Sequence, residues 1–265
     1  MATVKQIHDA LFAFAPADMK MEWDNVGLLC GHVDRAVTKV LVALDPMPDV
    51  IDEAKQIGAE LIVTHHPLIF QPIKSVSDQT YDGKNLLALI ESGIAAINLH
   101  TNLDCAPGGV NDVLAQRLGL QDIRVLNPTG VDAQGREWGL IRYGHVKQTT
   151  TLDFADEVAE RLGCAGLRFA DGGRPVHKVA VGGGSCGSEI ADVLAAGCDT
   201  LVTADLKYNQ LQEAAHRGIN LIDAGHFETE NPVCAVLMGI LRENFPTLTV
   251  MQSKSHCSRT QFLRK

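Results

Sequence analysis

The chain has 265 residues, of which 46% are hydrophobic and 21% charged, and its formal net charge at pH 7 is −9. A chain of this length can bury a substantial core and holds one large domain or two ordinary ones. The acidic balance argues against a general nucleic-acid-binding surface, where a basic face is expected, although it leaves room for a local basic patch.

The N-terminal sequence MATVKQIHDALFAFAP lacks the basic segment and long apolar core of a signal peptide. No apolar run approaches the ~18 residues that a membrane span needs, so no membrane contact is predicted. The seven cysteines are odd in number and include no CxxC pair, which argues against a disulfide framework and a zinc ribbon. We therefore predict a cytoplasmic protein whose cysteines are small buried hydrophobic residues, with Cys105 noted only because it follows Asp104.

Helical and strand patterns alternate along the chain, which is typical of an α/β fold. The patterns predict, in chain order, a helix over 3–14, a strand over 39–45, a helix over 49–58, a strand over 61–63, a helix over 84–93, a strand over 94–99 and a helix over 110–118. Asp24-Asn25 is predicted to form a turn, and residues 71–84 a polar loop. Further along, a strand over 138–146 and a helix over 150–162 are predicted.

Turn sequences between residues 127 and 138 predict a boundary between two halves. We place the first half at residues 1–125 and the second at residues 126–265, with a C-terminal segment that could pack back on the first half. Residues 39–71 and 178–210 align without a gap and share identical residues at Lys39/Lys178, Val40/Val179, Val42/Val181, Ile51/Ile190, Gly58/Gly197, Val63/Val202, Thr64/Thr203 and Gln71/Gln210. Residues 93–99 match 218–224 in the same way. We interpret this as an internal duplication that gives two related α/β halves facing a common cleft.

Metal-ligating side chains follow the predicted strands. The strand before Pro67 ends in His65 and His66, and the strand over 94–99 leads into HTNLD, with His100 and Asp104. Ligands of open α/β sheets bind beyond the carboxyl ends of the strands. A His-His pair alone is more often a solvated strand end than a metal site. Several such strand ends in one arrangement favour a site.

The duplication predicts where the second half contributes. His226 and Glu230 follow its third strand, and a spacing of four residues brings them to one helical face. A surface ion pair is the commoner explanation of such a spacing on its own. Taken together, the predicted ligands are His65, His66, Asp104, His226 and Glu230, with the metal site at the interface of the halves. These five ligands are too few to saturate two metal ions, so open positions would hold water.

Imidazole and carboxylate ligands suit Zn, Fe, Mn, Ni or Co and do not choose between them. Two such ions ~3.5–4 Å apart can share a hydroxide and clamp a phosphate or carbonyl oxygen. The nucleophile would be metal-bound water, and no protein residue is assigned as catalytic. His100 and Asp45 are predicted to orient ligands or water, with a turn-forming role as the alternative.

The second copy has Thr203-Ala204-Asp205 where the first has Thr64-His65-His66. We interpret this as a loss of metal ligands and a gain of substrate contacts. Backbone amides of the glycine-rich loop 182–187 could hold an anion, and Lys207 lies shortly after Asp205 in the second copy. Gly183 and Ser185 of the loop, together with Lys207, are therefore the predicted substrate-binding residues. A purely structural tight turn is an equally good explanation of this loop.

The motifs EWDNVGL, VTHHPLIF, HTNLD and GHxxxE, in this order and at these separations, resemble the GTP cyclohydrolase 1 type 2 homologue family, also called Nif-three-like dinuclear-metal proteins. The resemblance covers nearly the whole chain. It implies a duplicated α/β subunit with two divalent metal ions at the domain interface, bound at the five positions given above, and a toroidal homohexamer. Relatives often carry a further His or acid after the second copy's Asp-Leu-Lys-Tyr, where this chain has Asn209-Gln210, so a role for that segment in ligand binding is in doubt.

These observations favour a metal-dependent hydrolase acting on a small nucleotide or phosphorylated metabolite. The alternative from another class is a non-catalytic metal-carrying or regulatory binding protein. A third interpretation is a nucleic-acid repair or processing ring, which fits poorly with the net charge of −9.

Overall fold

The computed structural model describes residues 1–263. Its helices are α1 (Val4–Phe14), α2 (Pro48–Ile57), α3 (Tyr81–Ser92), α4 (Thr101–Cys105), α5 (Val110–Arg117), α6 (Thr151–Leu162), α7 (Ile190–Ala195), α8 (Tyr208–Arg217), α9 (His226–Glu230) and α10 (Val233–Asn244). Its strands are β1 (Ala2–Thr3), β2 (Gly27–Cys30), β3 (Ala36–Val37), β4 (Lys39–Ala43), β5 (Leu61–Thr64), β6 (Ala95–Asn98), β7 (Gln121–Leu126), β8 (Gly130–Val131), β9 (Glu137–Trp138), β10 (Ile141–Thr149), β11 (Arg168–Ala170), β12 (Val176–Val181), β13 (Thr200–Thr203), β14 (Asn220–Asp223) and β15 (Thr249–Gln252). The α/β class predicted from the sequence is confirmed.

The chain forms two compact units and passes from one to the other three times. The first unit contains Met1–Ala106 and Val233–Cys257, and the second contains Pro107–Pro232 and residues 258–263. Two of the crossings therefore follow α4 and α9, and the third follows Cys257. None of them coincides with the predicted boundary at 125/126. Residues 107–125 belong to the second unit because the apolar side of α5 is buried with α6 and β12 in one core cluster.

The first unit is built on a five-stranded sheet in the order β15-β4-β5-β6-β2. Strands β15, β4, β5 and β6 are parallel, and β2 is antiparallel to β6. Every residue of β5 and β6 is buried. Helices α2 and α3 share a core cluster with one face of the sheet, and α10 packs on β4, β15 and α1. Parallel strands covered on both faces are expected to be continuously aliphatic. Residues 61–63 and 95–97 are aliphatic here, and each strand ends in a buried polar residue, Thr64 or Asn98.

The second unit is built on a six-stranded sheet in the order β11-β14-β13-β12-β10-β7. Its three central strands, β12, β13 and β14, are parallel, while β10, β7 and β11 run antiparallel to their neighbours. Successive residues of β12 enter different core clusters: Val179 and Val181 pack with α5 and α6, and Ala180 packs with α7. This alternation is the period-2 geometry of a strand buried on both faces.

Contacts within the two units repeat at the same offset as the sequence. The ammonium group of Lys39 donates a hydrogen bond to the carbonyl of Ile57 at the end of α2. Its duplicate, Lys178, donates to the carbonyl of Ala196 after α7, at 2.6 Å. In both copies a lysine at the start of the first parallel strand therefore satisfies the carbonyl end of the following helix, where a cation is favoured.

A second repeated contact joins the first and second strands of each copy. The Glu60 carboxylate accepts hydrogen bonds from the backbone N–H groups of residues 38 and 39, at 3.1 and 2.9 Å. Asp199, which is its duplicate, accepts from the N–H groups of residues 177 and 178. Since identical roles are filled at identical offsets, the duplication predicted from the sequence is present in the fold.

Helix α3 begins at Tyr81 rather than at 84, because the hydroxyl of Thr80 accepts a hydrogen bond from the Gly83 N–H and caps the helix.

No helix among residues 1–263 has the length and apolar character needed to cross a membrane. Six of the seven cysteines are at least partly buried. Burial, with a smaller effect from the Asp45 carboxylate, raises the pKa of the Cys234 thiol to about 12.

Glu53 of α2 ties down the segment that follows β15. Its carboxylate accepts hydrogen bonds from the Ser253 hydroxyl at 2.6 Å and from the Lys254 and Ser255 N–H groups at 3.0 and 2.9 Å. Burial by itself raises the pKa of the Glu53 carboxyl, but the hydrogen bonds from these donors lower it by more, so the pKa lies below its usual value. A carboxylate whose pKa is lower in the folded than in the unfolded protein stabilises the fold at pH values above its unfolded pKa. This stabilisation is lost as the pH falls through the folded pKa.

We therefore expect Glu53→Gln to lower the free energy of unfolding by about 1–2 kcal/mol at pH 7. The difference from wild type should shrink below pH ~4, where the wild-type carboxylate also becomes protonated. Urea unfolding across this pH range measures it, with Glu91→Gln, an exposed carboxylate in α3, as the control. A difference that stays constant from pH 7 to pH 3 would contradict the assignment.

Candidate metal centre

Three histidines form a cluster at the carboxyl ends of β5 and β6 in the first unit. His65 and His66 follow β5 directly, and His100 lies two residues beyond β6. The ring centroids are 4.9 Å apart for His65 and His66, 5.2 Å for His65 and His100, and 5.5 Å for His66 and His100. One nitrogen from each ring lies within 4.8 Å of those of the other two. This is the geometry of a group that can share a metal ion.

The Nδ1 atom of each ring faces an oxygen acceptor. The acceptors are the Leu99 carbonyl for His65 at 2.8 Å, the Asp45 carboxylate for His66 at 2.6 Å and the Asp24 carboxylate for His100 at 2.8 Å. Because these acceptors favour a proton on Nδ1, the lone pair of each neutral ring is on Nε2. Metal-binding histidines in proteins are held in this way, with the other ring nitrogen donating to a carboxylate or a backbone carbonyl.

A carboxylate completes this group of donors. Asp104 lies on the short helix α4, whose first backbone hydrogen bonds join the N–H groups of Leu103 and Asp104 to the carbonyl of His100. This turn brings Asp104 Oδ1 to 3.6 Å from His65 Nε2, with both side chains almost fully buried. The first unit therefore offers three imidazoles and one carboxylate, a mixture that suits divalent transition metals.

Asp24 supports the cluster and was not predicted to do so. Its buried carboxylate accepts hydrogen bonds from His100 Nδ1 through one oxygen and from the Thr101 N–H and hydroxyl through the other, at 3.0 and 2.5 Å. Burial raises the pKa of Asp24, but the hydrogen bonds from His100 and Thr101 outweigh burial and hold the pKa well below its usual value. The sequence shows Asp24-Asn25 only as a turn, and the available signal was the acid inside the EWDNVGL motif.

The second unit carries a smaller cluster on α9. His226 Nε2 lies 3.1 Å from Glu230 Oε2, as the four-residue spacing predicts. His226 Nδ1 lies 2.7 Å from Asp205 Oδ2, so this ring is held in the same manner as those of the first unit. Asp205 is the duplicate of His66, which means that the second copy has a supporting carboxylate where the first has an imidazole.

Helices α4 and α9 are duplicates of each other as well. Each is five residues long and follows the third parallel strand of its unit, at an offset of 125 residues. One carries Asp104, and the other carries His226 and Glu230. The predicted metal ligands therefore lie either directly after a parallel strand or on the short helix that follows one.

The glycine-rich loop between β12 and α7 packs against the cluster on α9. Gly184 has φ +62°, and a Cβ atom there would lie 2.2 Å from Glu230 Oε1 and 3.0 Å from His226 Nε2. The Gly183 N–H donates to Asn111 Oδ1 at 2.7 Å, and the Gly184 N–H donates to Thr229 Oγ1 at 3.1 Å. These amides are used inside the protein, which favours the tight-turn explanation over an anion cradle at those two residues.

The structure thus groups His65, His66 and Asp104 in the first unit and His226 and Glu230 in the second. Asp45 Oδ1 lies 2.6 Å from His66 Nδ1, and its predicted role of orienting a ligand or water stays a prediction. His100 is itself a member of the imidazole cluster. Ser185 and Lys207 are exposed, and substrate contacts by Gly183, Ser185 and Lys207 stay predictions.

A family model, relatives with known names and a solved structure each match most of the chain. The family model described as Duf34/NIF3 (NGG1p interacting factor 3) matches residues 2–259. A Streptomyces coelicolor protein named GTP cyclohydrolase 1 type 2 homolog is 41% identical over 239 residues, which cover 88% of this chain and 84% of the relative. A Clostridium perfringens protein of the same name is 35% identical and covers 83% of each chain. A solved Bacillus cereus structure, described as a protein related to NIF3, has a TM-score of 0.92 at 26% identity and covers 99% of both chains.

Proposed function

The chain belongs to the Duf34/NIF3 family, and we propose that it is a metal-dependent hydrolase acting on a small nucleotide or phosphorylated metabolite. The membership confirms the resemblance drawn from the sequence motifs. The observation that carries the proposal is the arrangement of the histidines. Four imidazoles each have Nδ1 beside an oxygen acceptor, and each ring belongs to a cluster of further metal-ligating groups.

The residues fit divalent transition metals by their donor chemistry. Borderline metals such as Zn, Fe, Mn, Ni and Co prefer imidazole nitrogen together with carboxylate oxygen. The absence of a side chain at Gly184 leaves room for the Glu230 carboxylate and the His226 ring, because a Cβ atom there would overlap the carboxylate and crowd the ring. When bound, the ions would supply Lewis-acid activation of a phosphoryl or carbonyl group and of water.

We propose two ions, bound by His65, His66, Asp104, His226 and Glu230. Each unit supplies part of this set, and water would fill the coordination positions that the five protein ligands leave open. The two carboxylates offset part of the charge of the ions, while Asp45 and Asp205 keep the rings of His66 and His226 in the metal-binding tautomer. The homohexamer implied by the family resemblance is part of the proposal, and light scattering on the purified protein checks it.

The substrate class follows from the site and from the relatives. Metal pairs of this kind act on phosphoryl and carbonyl groups. The relatives from Streptomyces coelicolor and Clostridium perfringens bear a name that refers to GTP, which is a nucleotide. A nucleotide or a related phosphorylated molecule is therefore the first class to test on this chain.

Metal content and turnover test the proposal together. We expect anaerobically purified protein to hold about two equivalents of a divalent transition metal by elemental analysis, as the two-metal site requires. Glu230→Gln and Asp104→Asn should each lower the metal content and abolish turnover on a panel of nucleotides and phosphoesters. Glu228→Gln, a carboxylate change on the same helix as Glu230, is the matched control and should retain both.

Two results would count against the proposal. Protein that holds no more metal than the two variants would contradict the metal site. Metal-loaded protein that turns over no member of the panel would favour the alternative class, a metal-carrying or regulatory binding protein. The paired variants separate these results, because they report on metal content even when no reaction is found.

A further inference from the structure

Two large aromatic side chains are exposed beside the imidazole cluster of the first unit. Trp23 is 62% exposed and Phe70 is 47% exposed. Their ring centroids are 5.8 Å apart with an interplanar angle of 73°. Each ring also lies edge-to-face with the His100 ring, with centroid distances of 6.2 Å for Trp23 and 6.1 Å for Phe70. Adjacent exposed aromatic rings at a candidate site indicate a binding surface rather than a scattered surface residue.

Polar contacts fix the two segments that carry these rings. The Asn25 side-chain amide donates to the Ile69 carbonyl at 2.7 Å, which joins the residue after Asp24 to the residue before Phe70. The Asn98 side-chain amide, at the end of β6, donates to the Asn25 carbonyl at 3.0 Å. Asp24, next to Trp23 in the chain, holds His100. The rings are therefore attached through hydrogen bonds to the strand that carries the cluster, and their positions are set before any ligand binds.

We propose that Trp23 and Phe70 form a subsite that binds the planar heteroaromatic ring of the substrate, with the phosphate of the same molecule directed toward the imidazole cluster. This inference rests on the proposed function and narrows its substrate class. A nucleotide offers a flat ring to stack on an aromatic side chain, whereas a sugar phosphate or another non-aromatic metabolite does not. Stacking of a base on an aromatic ring tolerates any base, because every base has a π face.

The arrangement of the three rings supports this occupant. Trp23, Phe70 and His100 are roughly perpendicular in pairs, so they do not stack face to face. An edge-to-face contact covers at most one face of one ring in a pair. A ring lying on Trp23 or Phe70 would have its substituents near His100, where the metal-ligating groups begin. The subsite and the cluster are thus continuous within one unit of the chain.

Tryptophan fluorescence and calorimetry test the subsite. The chain contains two tryptophans, Trp23 and Trp138, so Trp138→Phe leaves Trp23 as the single reporter. We expect guanosine and adenosine 5′-monophosphate to quench Trp23 in the metal-loaded protein and to bind about tenfold or more tighter than ribose 5-phosphate, which lacks the ring. Trp23→Ala and Phe70→Ala should each weaken binding of the nucleotides by about tenfold and leave ribose 5-phosphate binding within about twofold.

Two further variants act as controls. Trp23→Phe keeps a flat ring and should restore most of the nucleotide affinity. Phe169→Ala removes an aromatic ring of similar exposure, 41%, from β11 in the second unit and should change neither affinity. Circular dichroism of each variant establishes that its fold is retained.

The outcomes separate this inference from the proposed function. Equal affinity for the nucleotides and ribose 5-phosphate, or no effect of Trp23→Ala, would overturn the subsite while elemental analysis of the same samples still supports the metal centre. Absence of nucleotide binding by metal-loaded protein would overturn it as well. A change of oligomeric state in Trp23→Ala, without a change in ring preference, would instead show that this surface joins two copies of the chain. Protein without metal contradicts the proposed function, and a ring preference that persists there would leave the subsite standing alone.

Discussion

Gly184→Ala is expected to lower the affinity of the α9 cluster for metal by about 10–100-fold, the range seen when groups supporting a metal ligand are altered. A Cβ atom at this position would lie 2.2 Å from Glu230 Oε1 and 3.0 Å from His226 Nε2. Glu230 is only 4% exposed, so its carboxylate has little room to retreat. The predicted ligand pair must therefore shift as a whole, and a metal titration against a chromophoric chelator measures the loss.

The same substitution also strains the backbone, and a matched variant separates the two effects. Gly184 has φ +62°, whereas Gly197 has φ +74°, and a Cβ atom at Gly197 would meet no atom of residues 1–263 within 4 Å beyond its chain neighbours. Gly197→Ala should thus cost about 1–2 kcal/mol of unfolding free energy through backbone strain alone and leave metal binding unchanged. Equal metal affinities in the two variants would contradict a role for Gly184 in placing Glu230.

The predicted ligands were accessible from the sequence because strands give a strong signal. Residues 61–63 and 95–97 are aliphatic runs that lie shortly before His65 and His100. Parallel strands place their carboxyl ends at one edge of the sheet. The gap-free match of 39–71 with 178–210 then led to the third strand of the second copy and to His226 and Glu230. Short-range spacing and internal repetition therefore carried this part of the prediction.

The supporting groups could not be predicted in the same way, because their contacts are distant in sequence. Asp24 lies 76 residues from His100, and Asp205 lies 21 residues from His226. A carboxylate in a turn sequence has the same local signature whether it faces solvent or a buried imidazole. Only the packing of the loop before β2 against the end of β6 distinguishes the two cases.

The sequence pattern also could not predict at which residues the chain passes from one unit to the other. The apolar face of α5 predicts that the helix packs on a sheet, but not on which one. Leu114 and Ala115 of α5 are buried with Phe154 and Val158 of α6, which places the helix in the second unit. Helix α10, by contrast, belongs to the first unit, because β15, the strand that follows it, pairs with β4. The predicted boundary at 125/126 was based on turn residues, whereas two of the three structural boundaries follow the short helices α4 and α9.

Asp24→Asn is expected to weaken metal binding by the first-unit cluster by about 10–100-fold. The substituted side chain keeps one oxygen, which can still accept from Thr101 as Asp24 Oδ2 does. Its amide group then faces His100 Nδ1, so a donor meets a donor. His100 is expected to move its proton to Nε2, which removes the lone pair that a metal ion would use. Nitrogen-15 NMR of the imidazoles reports the tautomer, and chelator competition reports the affinity.

The stability of this variant provides an independent check on the same contacts. Losing a charged, buried acceptor of several hydrogen bonds should lower the free energy of unfolding by about 2–3 kcal/mol. Because the folded pKa of Asp24 is lowered, its stabilisation is present above the unfolded value of ~3.9, so the difference from wild type should stay constant between pH 5 and pH 8. Asp52→Asn changes a carboxylate that is 64% exposed on α2 and should alter neither property. A switched tautomer with unchanged metal affinity would instead assign His100 the orienting role that the sequence predicted, because the cluster would then bind metal without its Nε2 atom.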